Sequence, residues 1–324
     1  MNDNEELAPL LQHELDMAPS EVKELFYDLL KYRVDPAGDY YGMNIQALTE
    51  KIRALDNQVI HAINSDSSEV RYAQKGKMFD PILESFTMGC GGQITTWSKS
   101  EQSMVPVILR GITKRKEMNA CRARGKDFYY IDTGYFGNGK KKLYHRITKN
   151  DVQNFGPVIE RPGDRFERTG IQLSKVRATG SKILLAPPSQ KLLNLYDINL
   201  ETWLDQTLAD IHAHTDREVV IRRKQGRSAR VNTDTIEMAL DQDIYCLITY
   251  SSIAAGEAIL HGKPAITLGP NAAASLCSTI IPEIEKLKIP SLDEIRVWAN
   301  HMAYCQFTET ELRDGTAWRI LQGG

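Results

Sequence analysis

The spacing of hydrophobic and polar positions changes along the chain. In residues 22–30 and 45–63, apolar residues recur every three to four positions, which predicts two amphipathic helices. From residue 77 onward, short apolar runs alternate with polar segments of helical composition, as is typical of an α/β fold. The pattern therefore predicts a helical N-terminal extension over residues 1–76, followed by α/β structure.

Residues 77–175 are predicted to form a smaller α/β lobe. Apolar runs at 105–109 and 128–131 indicate strands, and Thr113 to Gly125 has the composition of a helix between them. Residues 138–175 contain several glycine and proline turns. They are expected to form a long connection, which in a compact fold usually has a function.

Residues 176–290 are predicted to form a second α/β lobe. Strands are expected at 182–186, 218–222, 245–250 and 265–268, with helices at 200–215, 233–240 and 253–260. Right-handed crossovers would place the strands in a parallel sheet. Residues 291–324 are expected to form terminal helices, because Ser291 and Thr308 each begin a capping-box pattern.

The most informative local pattern runs from residue 243 to residue 274. An apolar strand ending at Tyr250 is followed by Ser251 and Ser252, and then by small residues that begin a short helix. The serines can cap this helix, whose first N–H groups would face a ligand beyond the strand end and suit a phosphate. Glu257, about one turn later, can accept two hydrogen bonds from the paired hydroxyls of a ribose.

This segment resembles the nucleotide-sugar-binding half of GT-B glycosyltransferases. The positions that carry the resemblance are Ser251, Ser252, Gly256, Glu257-Ala258 and Gly262-Lys263-Pro264. The resemblance implies two Rossmann-like lobes and a nucleotide-sugar donor, expected to be UDP-linked, on the C-terminal lobe. It also implies that the serines and the helix start hold the diphosphate, that Glu257 holds the ribose, and that the terminal helices pack back across the lobes. The alternative is a βαβ unit with a purely structural role.

Basic residues are expected at the end of the strand that precedes this unit. The related glycosyltransferases place a donor-phosphate Arg or Lys there, and Arg222 and Arg223 occupy that place. A fixed cation stabilises the charge that a leaving nucleoside diphosphate gains in the transition state. Ser189, which follows the strand at 182–186, is expected to contribute a further hydroxyl.

Asp132 is the candidate general base. It lies at the end of an aromatic strand, before the turn Thr133-Gly134. In open α/β sheets, ligands bind beyond the carboxyl ends of the strands. Inverting sugar transfer needs a group there that takes the proton of the attacking hydroxyl. The alternative is that the Asp132 side chain caps its own turn.

Composition narrows the class of protein. A chain of 324 residues is long enough for two domains with their own cores. The five cysteines include no C-x-x-C pair, which argues against a zinc cluster or a disulfide framework. No apolar run reaches eighteen residues and the N-terminus is acidic, so we expect no membrane span and a cytoplasmic location (the host cytoplasm for a phage protein).

The sequence Asp241-Gln242-Asp243 spells D-x-D, the metal motif of the other main glycosyltransferase fold. Here it precedes its strand, at the opposite end of the predicted sheet from the ligand side. We therefore predict a polar turn, no obligatory metal, and no cofactor beyond the nucleotide sugar.

Basic charge is concentrated although the net charge is only −2. Between Arg110 and Lys149, twelve lysines and arginines stand against three acidic residues. This concentration indicates a polyanionic partner or a phosphate-rich ligand, with a solvated basic face as the alternative. The residues expected to contact the acceptor or nucleic acid are Lys114, Arg115, Lys116, Lys140, Lys141, Lys142 and Arg146.

Three functions remain open from the sequence. The favoured one is a glycosyltransferase that modifies hydroxymethylated pyrimidines in phage DNA, with double-stranded DNA as partner and the base flipped into the cleft between lobes. The alternative enzyme is a glycosyltransferase of capsule or lipopolysaccharide assembly. The alternative from another class is a nucleotide- or nucleic-acid-binding protein without turnover. The sugar, the stereochemistry of transfer and the oligomeric state also remain open.

Overall fold

The structure, a computed structural model, describes residues 71–74, 80–138, 143–223 and 235–323. Of residues 71–74, 94–96 and 98 only the backbone is described. The two helices predicted for the N-terminal extension lie outside the described residues. Arg71–Gln74 is a strand, so the α/β part begins before the predicted boundary at residue 77. This short strand lacks an apolar run, which is why the pattern did not indicate it.

The described secondary structure alternates strands and helices. The strands are β1 Arg71–Gln74, β2 Gln93–Thr96, β3 Val107–Arg110, β4 Phe128–Thr133, β5 His145–Lys149, β6 Lys182–Leu185, β7 Glu218–Ile221, β8 Ile244–Thr249, β9 Ala265–Thr267 and β10 Gln306–Phe307. The α-helices are α1 Pro81–Gly89, α2 Trp97–Glu101, α3 Arg115–Ala123, α4 Asp164–Glu167, α5 Gln190–Leu193, α6 Leu200–His214, α7 Ile236–Leu240, α8 Ala254–Leu260, α9 Leu292–Ala303, α10 Glu309–Arg313 and α11 Thr316–Leu321.

The first sheet has the strand order β10-β5-β4-β3-β1-β2. Neighbours from β4 to β2 are parallel, whereas β5 runs antiparallel to β4 and β10 antiparallel to β5. The predicted strands β3 and β4 and the helix α3 between them are confirmed. β5 was expected to be part of a connection, and its antiparallel pairing places Arg146 opposite Asp132.

The second sheet has the order β7-β6-β8-β9, and all of its strands are parallel. β8 lies in the middle and is buried at every position, as expected for a parallel strand covered on both faces. The four predicted strands and the helices α6 and α8 are confirmed within one or two residues. The prediction of a mixed α/β protein with parallel sheets is therefore confirmed.

The C-terminal segment contacts both sheets. Ser291 and Thr308 each form the predicted capping box, at the starts of α9 and α10. On α9, the buried Trp298 ring lies against Gly256 of α8, where an added Cβ would come within 2.8 Å of the ring. The chain then adds β10 to the edge of the first sheet. None of the described helices combines the length and the apolar character needed to cross a membrane.

Candidate functional site

A series of polar contacts links the carboxyl end of β4 to the carboxyl end of β8. Across from the end of β4, Arg146 donates through Nη1 to the carbonyl of Thr133 (2.5 Å) and through Nε to that of Val152 (3.3 Å). The next residue, Gln153, donates through Nε2 to the carbonyl of Ser251, at 2.8 Å. We call this region the junction; it is formed by residues 151–154 and 250–252 together with Tyr196, whose ring contacts that of Tyr250.

A second contact between the two halves lies close by. Arg115, at the start of α3, donates to the carbonyl of Asn194, which follows β6. Its guanidinium also lies 3.6 Å from the carboxylate of Asp197. The carboxyl edge of the second sheet therefore packs against α3 and the junction.

Asp132 is held in one orientation beside the junction. Its carboxylate accepts a hydrogen bond from the hydroxyl of Tyr130 at 2.6 Å and lies 3.5 Å from Nη2 of Arg146. It also accepts the N–H of Thr133 at 2.7 Å, so the turn cap considered as an alternative is present as well. About a third of the side chain is exposed, which leaves the carboxylate accessible. Its role as a base stays a prediction.

Arg146 is not the surface residue that the sequence analysis predicted. It is only 7% exposed, and its guanidinium lies 5.8 Å from the ring centre of Tyr130 and 5.6 Å from that of Tyr135. Burial by itself lowers the pKa of Arg146, but Asp132 and the two tyrosines raise it, and the net direction is upward. The residue is a buried cation that neutralises Asp132. Its burial argues against the predicted nucleic-acid contact, which stays a prediction.

The other predicted basic contacts do not form an exposed patch in the described part of the chain. Arg115 is bonded to Asn194 as described above, and Lys114 lies 4.0 Å from the carboxylate of Glu117. Lys116 is exposed. Lys140, Lys141 and Lys142 lie outside the described residues.

The predicted donor-binding cations separate into two environments. The N–H of Arg222 donates to the carbonyl of Leu185 at 2.9 Å, which extends the β7–β6 pairing to the carboxyl edge of the sheet. Arg223 is exposed and binds the carboxylate of Glu201 through both Nη atoms, at 3.2 and 3.1 Å. Its charge is thus used in a surface ion pair. Contact of Arg222 or Arg223 with a donor phosphate stays a prediction.

The predicted serines lie at the ends of adjacent strands. Ser189 caps α5 by accepting the N–H of Leu192 at 3.4 Å. The buried hydroxyl of Ser251 donates to the carbonyl of Pro270. Ser252 is half-buried and accepts the N–H of Ala254 at 3.3 Å. The three hydroxyls therefore fix the local turns, and their contact with a diphosphate stays a prediction.

Glu257 lies in the first turn of α8 and is half-buried. Its neighbours Ala255, Gly256 and Ala258 are fully buried. Because Gly256 faces Trp298, the small residue at this position is needed for close helix packing. Adjacent residues of a helix point about 100° apart, so Glu257 is directed to another side of α8. Its contact with a ribose stays a prediction.

The D-x-D sequence forms a turn before β8, as predicted. Asp243 has a φ of 45° and accepts a hydrogen bond from the Ser181 hydroxyl at 2.6 Å, which lowers the pKa of its carboxyl group. Asp241 lies 2.7 Å from Nε2 of His261. Among the described residues, no group of three His, Cys, Asp or Glu side chains is arranged to hold a metal ion.

Two residues at the junction were missed by the sequence analysis. Gln153 follows β5 and Tyr196 follows α5, and the buried Gln153 amide oxygen and Tyr196 hydroxyl have no hydrogen-bond partner in the described part of the chain. Neither residue lies in a recognisable motif. They come together with Ser251 only through the tertiary fold, so no local signal indicated them.

The solved structures that are similar to this chain include two glycosyltransferases. No family model matches the sequence, and no curated protein matches it. One neighbour is described as Thermosulfurimonas dismutans KpsC, β-Kdo 2,4-transferase (TM-score 0.43, 14% identity, 73% of this chain and 91% of that chain). The other is described as the KpsC β-Kdo 2,7-transferase of the same organism (TM-score 0.48, 14% identity, 77% of this chain and 99% of that chain). Both TM-scores lie below 0.5.

Proposed function

We propose that this chain is a glycosyltransferase that moves a sugar from a nucleotide-sugar donor to a hydroxyl acceptor. The observation that carries the proposal is the contact between the carboxyl ends of β4 and β8 through Arg146, Val152, Gln153 and Ser251. It links a partly exposed carboxylate, Asp132, through Arg146 to the turn that resembles a nucleotide-sugar site. Ligands of α/β proteins collect beyond the carboxyl ends of strands.

In this proposal the nucleotide lies over the carboxyl edge of the second sheet. The guanidinium of Arg222 stabilises the negative charge that the nucleoside diphosphate gains as the bond to the anomeric carbon breaks. Glu257 accepts hydrogen bonds from the ribose hydroxyls, and the backbone around Ser252 faces the phosphates. These roles follow from the place of each residue at the strand ends.

Asp132 acts on the acceptor. The acceptor oxygen attacks the anomeric carbon, the nucleoside diphosphate leaves with the electrons of the broken bond, and the acceptor proton passes to the carboxylate. Arg146 and the Tyr130 hydroxyl hold that carboxylate in place. This sequence of steps inverts the anomeric carbon.

For the acceptor, we favour a carbohydrate hydroxyl over duplex DNA. Affinity for DNA comes mainly from exposed cations that meet phosphates. Of the four predicted cations in the described residues, Arg146 is buried, Arg115 binds Asn194, Lys114 lies near Glu117, and Lys116 is exposed. That distribution supports a glycan of the capsule or lipopolysaccharide type better than DNA.

The test is incubation with a panel of nucleotide sugars and three acceptors, namely hydroxymethylated DNA, a glycan mixture and water, followed by mass spectrometry of the products. Sugar transfer to the glycan supports the proposal. Transfer to DNA supports the glycosyltransferase activity and shows that the acceptor is DNA rather than a glycan. Donor binding with neither transfer nor hydrolysis indicates a binding protein and contradicts the proposal.

A further inference from the structure

The junction contains two buried polar atoms without a hydrogen-bond partner in the described residues. One is Oε1 of Gln153, a residue that is 4% exposed. Its Nε2 already donates to the carbonyl of Ser251, which fixes the orientation of the amide. Oε1 is therefore a fixed acceptor that lacks a donor.

The second atom is the hydroxyl oxygen of Tyr196. It lies beside the Ser251 hydroxyl without forming a hydrogen bond of normal geometry, and the Ser251 hydroxyl donates to the Pro270 carbonyl. Burial raises the pKa of Tyr196, so its phenol stays protonated and can donate. The Tyr196 ring is held by an edge contact with Tyr250, with 5.3 Å between ring centres.

An unmet buried polar group costs about 1–3 kcal/mol, so such groups are few in folded proteins and each needs an explanation. Here an acceptor and a donor both lie beside Ser251. A ligand hydroxyl complements this pair, because it can donate to Gln153 and accept from Tyr196. Both groups are neutral, and the amide oxygen would repel a phosphate or carboxylate. The pair therefore suits a hydroxyl rather than an anion.

We propose that Gln153 and Tyr196 form a subsite that recognises a hydroxyl group of the transferred sugar. The inference rests on the proposed function, since it places the sugar of the donor next to the turn at Ser251. Both oxygen atoms are closed off from solvent in the structure. Entry of the sugar therefore requires side chains that cover these two atoms to move aside, while the Gln153–Ser251 hydrogen bond keeps the amide in its orientation.

Tyr196→Phe is the cleanest variant, because the lost oxygen has no partner in the described residues and its removal is not expected to lower the melting temperature. Isothermal titration calorimetry measures the affinity for two probes, which are a nucleotide sugar that binds the wild-type protein and the matching free nucleotide. We expect about a tenfold loss of affinity for the nucleotide sugar and no change for the nucleotide. Tyr304→Phe, which loses a hydroxyl bonded to Asp164 instead, is the matched control and is expected to bind like wild type.

Gln153→Met is the second variant, and it removes the amide while keeping most of the volume. We expect the same selective loss, with exposed Gln322→Met as its control. Equal binding of the nucleotide sugar by wild type, Tyr196→Phe and Gln153→Met overturns the subsite alone. A wild-type protein that binds no nucleotide sugar overturns both the proposed function and the subsite. A donor complex in which one water bridges the two oxygen atoms, with no sugar contact, also overturns the subsite.

Discussion

The two edges of the second sheet are built differently. At the amino edge, polar and charged side chains contact one another in four pairs: Lys182 with Glu218 (3.0 Å), Arg217 with Glu285 (2.9 Å), His261 with Asp241 (2.7 Å) and Ser181 with Asp243 (2.6 Å). At the carboxyl edge, three buried polar atoms have no partner in the described part of the chain. They belong to Gln153, Tyr196 and Thr267, the last residue of β9.

This difference assigns stability to the amino edge of the sheet and ligand binding to its carboxyl edge. The amino edge is completed by its own side chains, so its residues are expected to contribute to folding alone. The carboxyl edge keeps hydrogen-bonding capacity that the described chain does not use, which is costly unless a ligand or a bound water uses it. Substitutions at the carboxyl edge and in the adjoining junction should therefore affect ligand binding and turnover, and those at the amino edge should affect stability.

The largest effect is expected for Asp132→Asn. Removing a general base lowers turnover by about a hundredfold or more, while donor affinity stays unchanged. Asn also leaves the buried Arg146 without its counter-charge, so the rates are measured well below the unfolding temperature of the variant. The matched control is Asp127→Asn, at the other end of β4, where the carboxylate pairs with Lys149 at 2.7 Å. Near-normal turnover in Asp132→Asn would remove it from the mechanism.

Glu257→Gln is expected to weaken nucleotide binding about tenfold, because a charged acceptor of two ribose hydrogen bonds becomes a neutral one. The measurement is calorimetric titration with free nucleotide. Glu237→Gln, an exposed position on α7, serves as the control and should bind like wild type. Equal affinities for both variants would show that the first turn of α8 does not contact the nucleotide.

Arg217→Met tests the amino edge. The Arg217 guanidinium stacks 3.6 Å from the ring centre of Tyr245 and binds Glu285 through two nitrogen atoms. Losing both contacts should lower the free energy of unfolding by about 1–2 kcal/mol. Urea denaturation measures this change, and nucleotide affinity should stay at the wild-type value. A loss of nucleotide affinity without a loss of stability would contradict the view that the amino edge contributes to folding alone.

The smallest expected effect is the pH dependence of the stability that the Arg217–Glu285 ion pair contributes. Hydrogen bonds from Arg217 and Thr215 lower the pKa of Glu285 below its value in the unfolded chain. Its contribution to stability is therefore complete above the unfolded pKa of about 4.3 and disappears as the pH falls through the lower folded value. Because Glu285 is about half exposed, we expect only a few tenths of a kcal/mol.

The check is urea denaturation at pH 7 and pH 3. The stability difference between wild type and Glu285→Gln should shrink at pH 3. Glu160→Gln, at an exposed position, should differ from wild type by the same amount at both pH values. A Glu285→Gln difference that grows in acid would contradict the assigned direction.

The second sheet was the most predictable part of the fold. Continuous apolar runs bounded by turn residues indicated β6, β8 and β9, and the capping boxes at Ser291 and Thr308 indicated the starts of α9 and α10. These patterns depend on residues that are close in sequence, so distant contacts in the folded protein do not change the elements that they predict. β5 and the two-residue β10 have no such signal, since each depends on pairing with a distant strand.

The candidate site was predicted less completely than the fold. Strand ends could be located from the pattern, which placed Asp132, Arg222 and the serines near the carboxyl edges. The sequence could not show that Arg146 is buried, because its partner Asp132 becomes adjacent only when β5 pairs with β4. Nor could it show Gln153 and Tyr196 beside Ser251, because these residues come from three separate segments.

Hydrogen–deuterium exchange of the full chain, with and without a nucleotide sugar that it binds, tests the central claim most directly. The claim is that the ligand binds at the carboxyl edge of the second sheet. We predict slower exchange in residues 151–154, 186–196 and 250–257, with no change at residues 180–182, 215–218 and 241–244 of the amino edge. Protection confined to the amino edge, or no protection at either edge, would contradict the account.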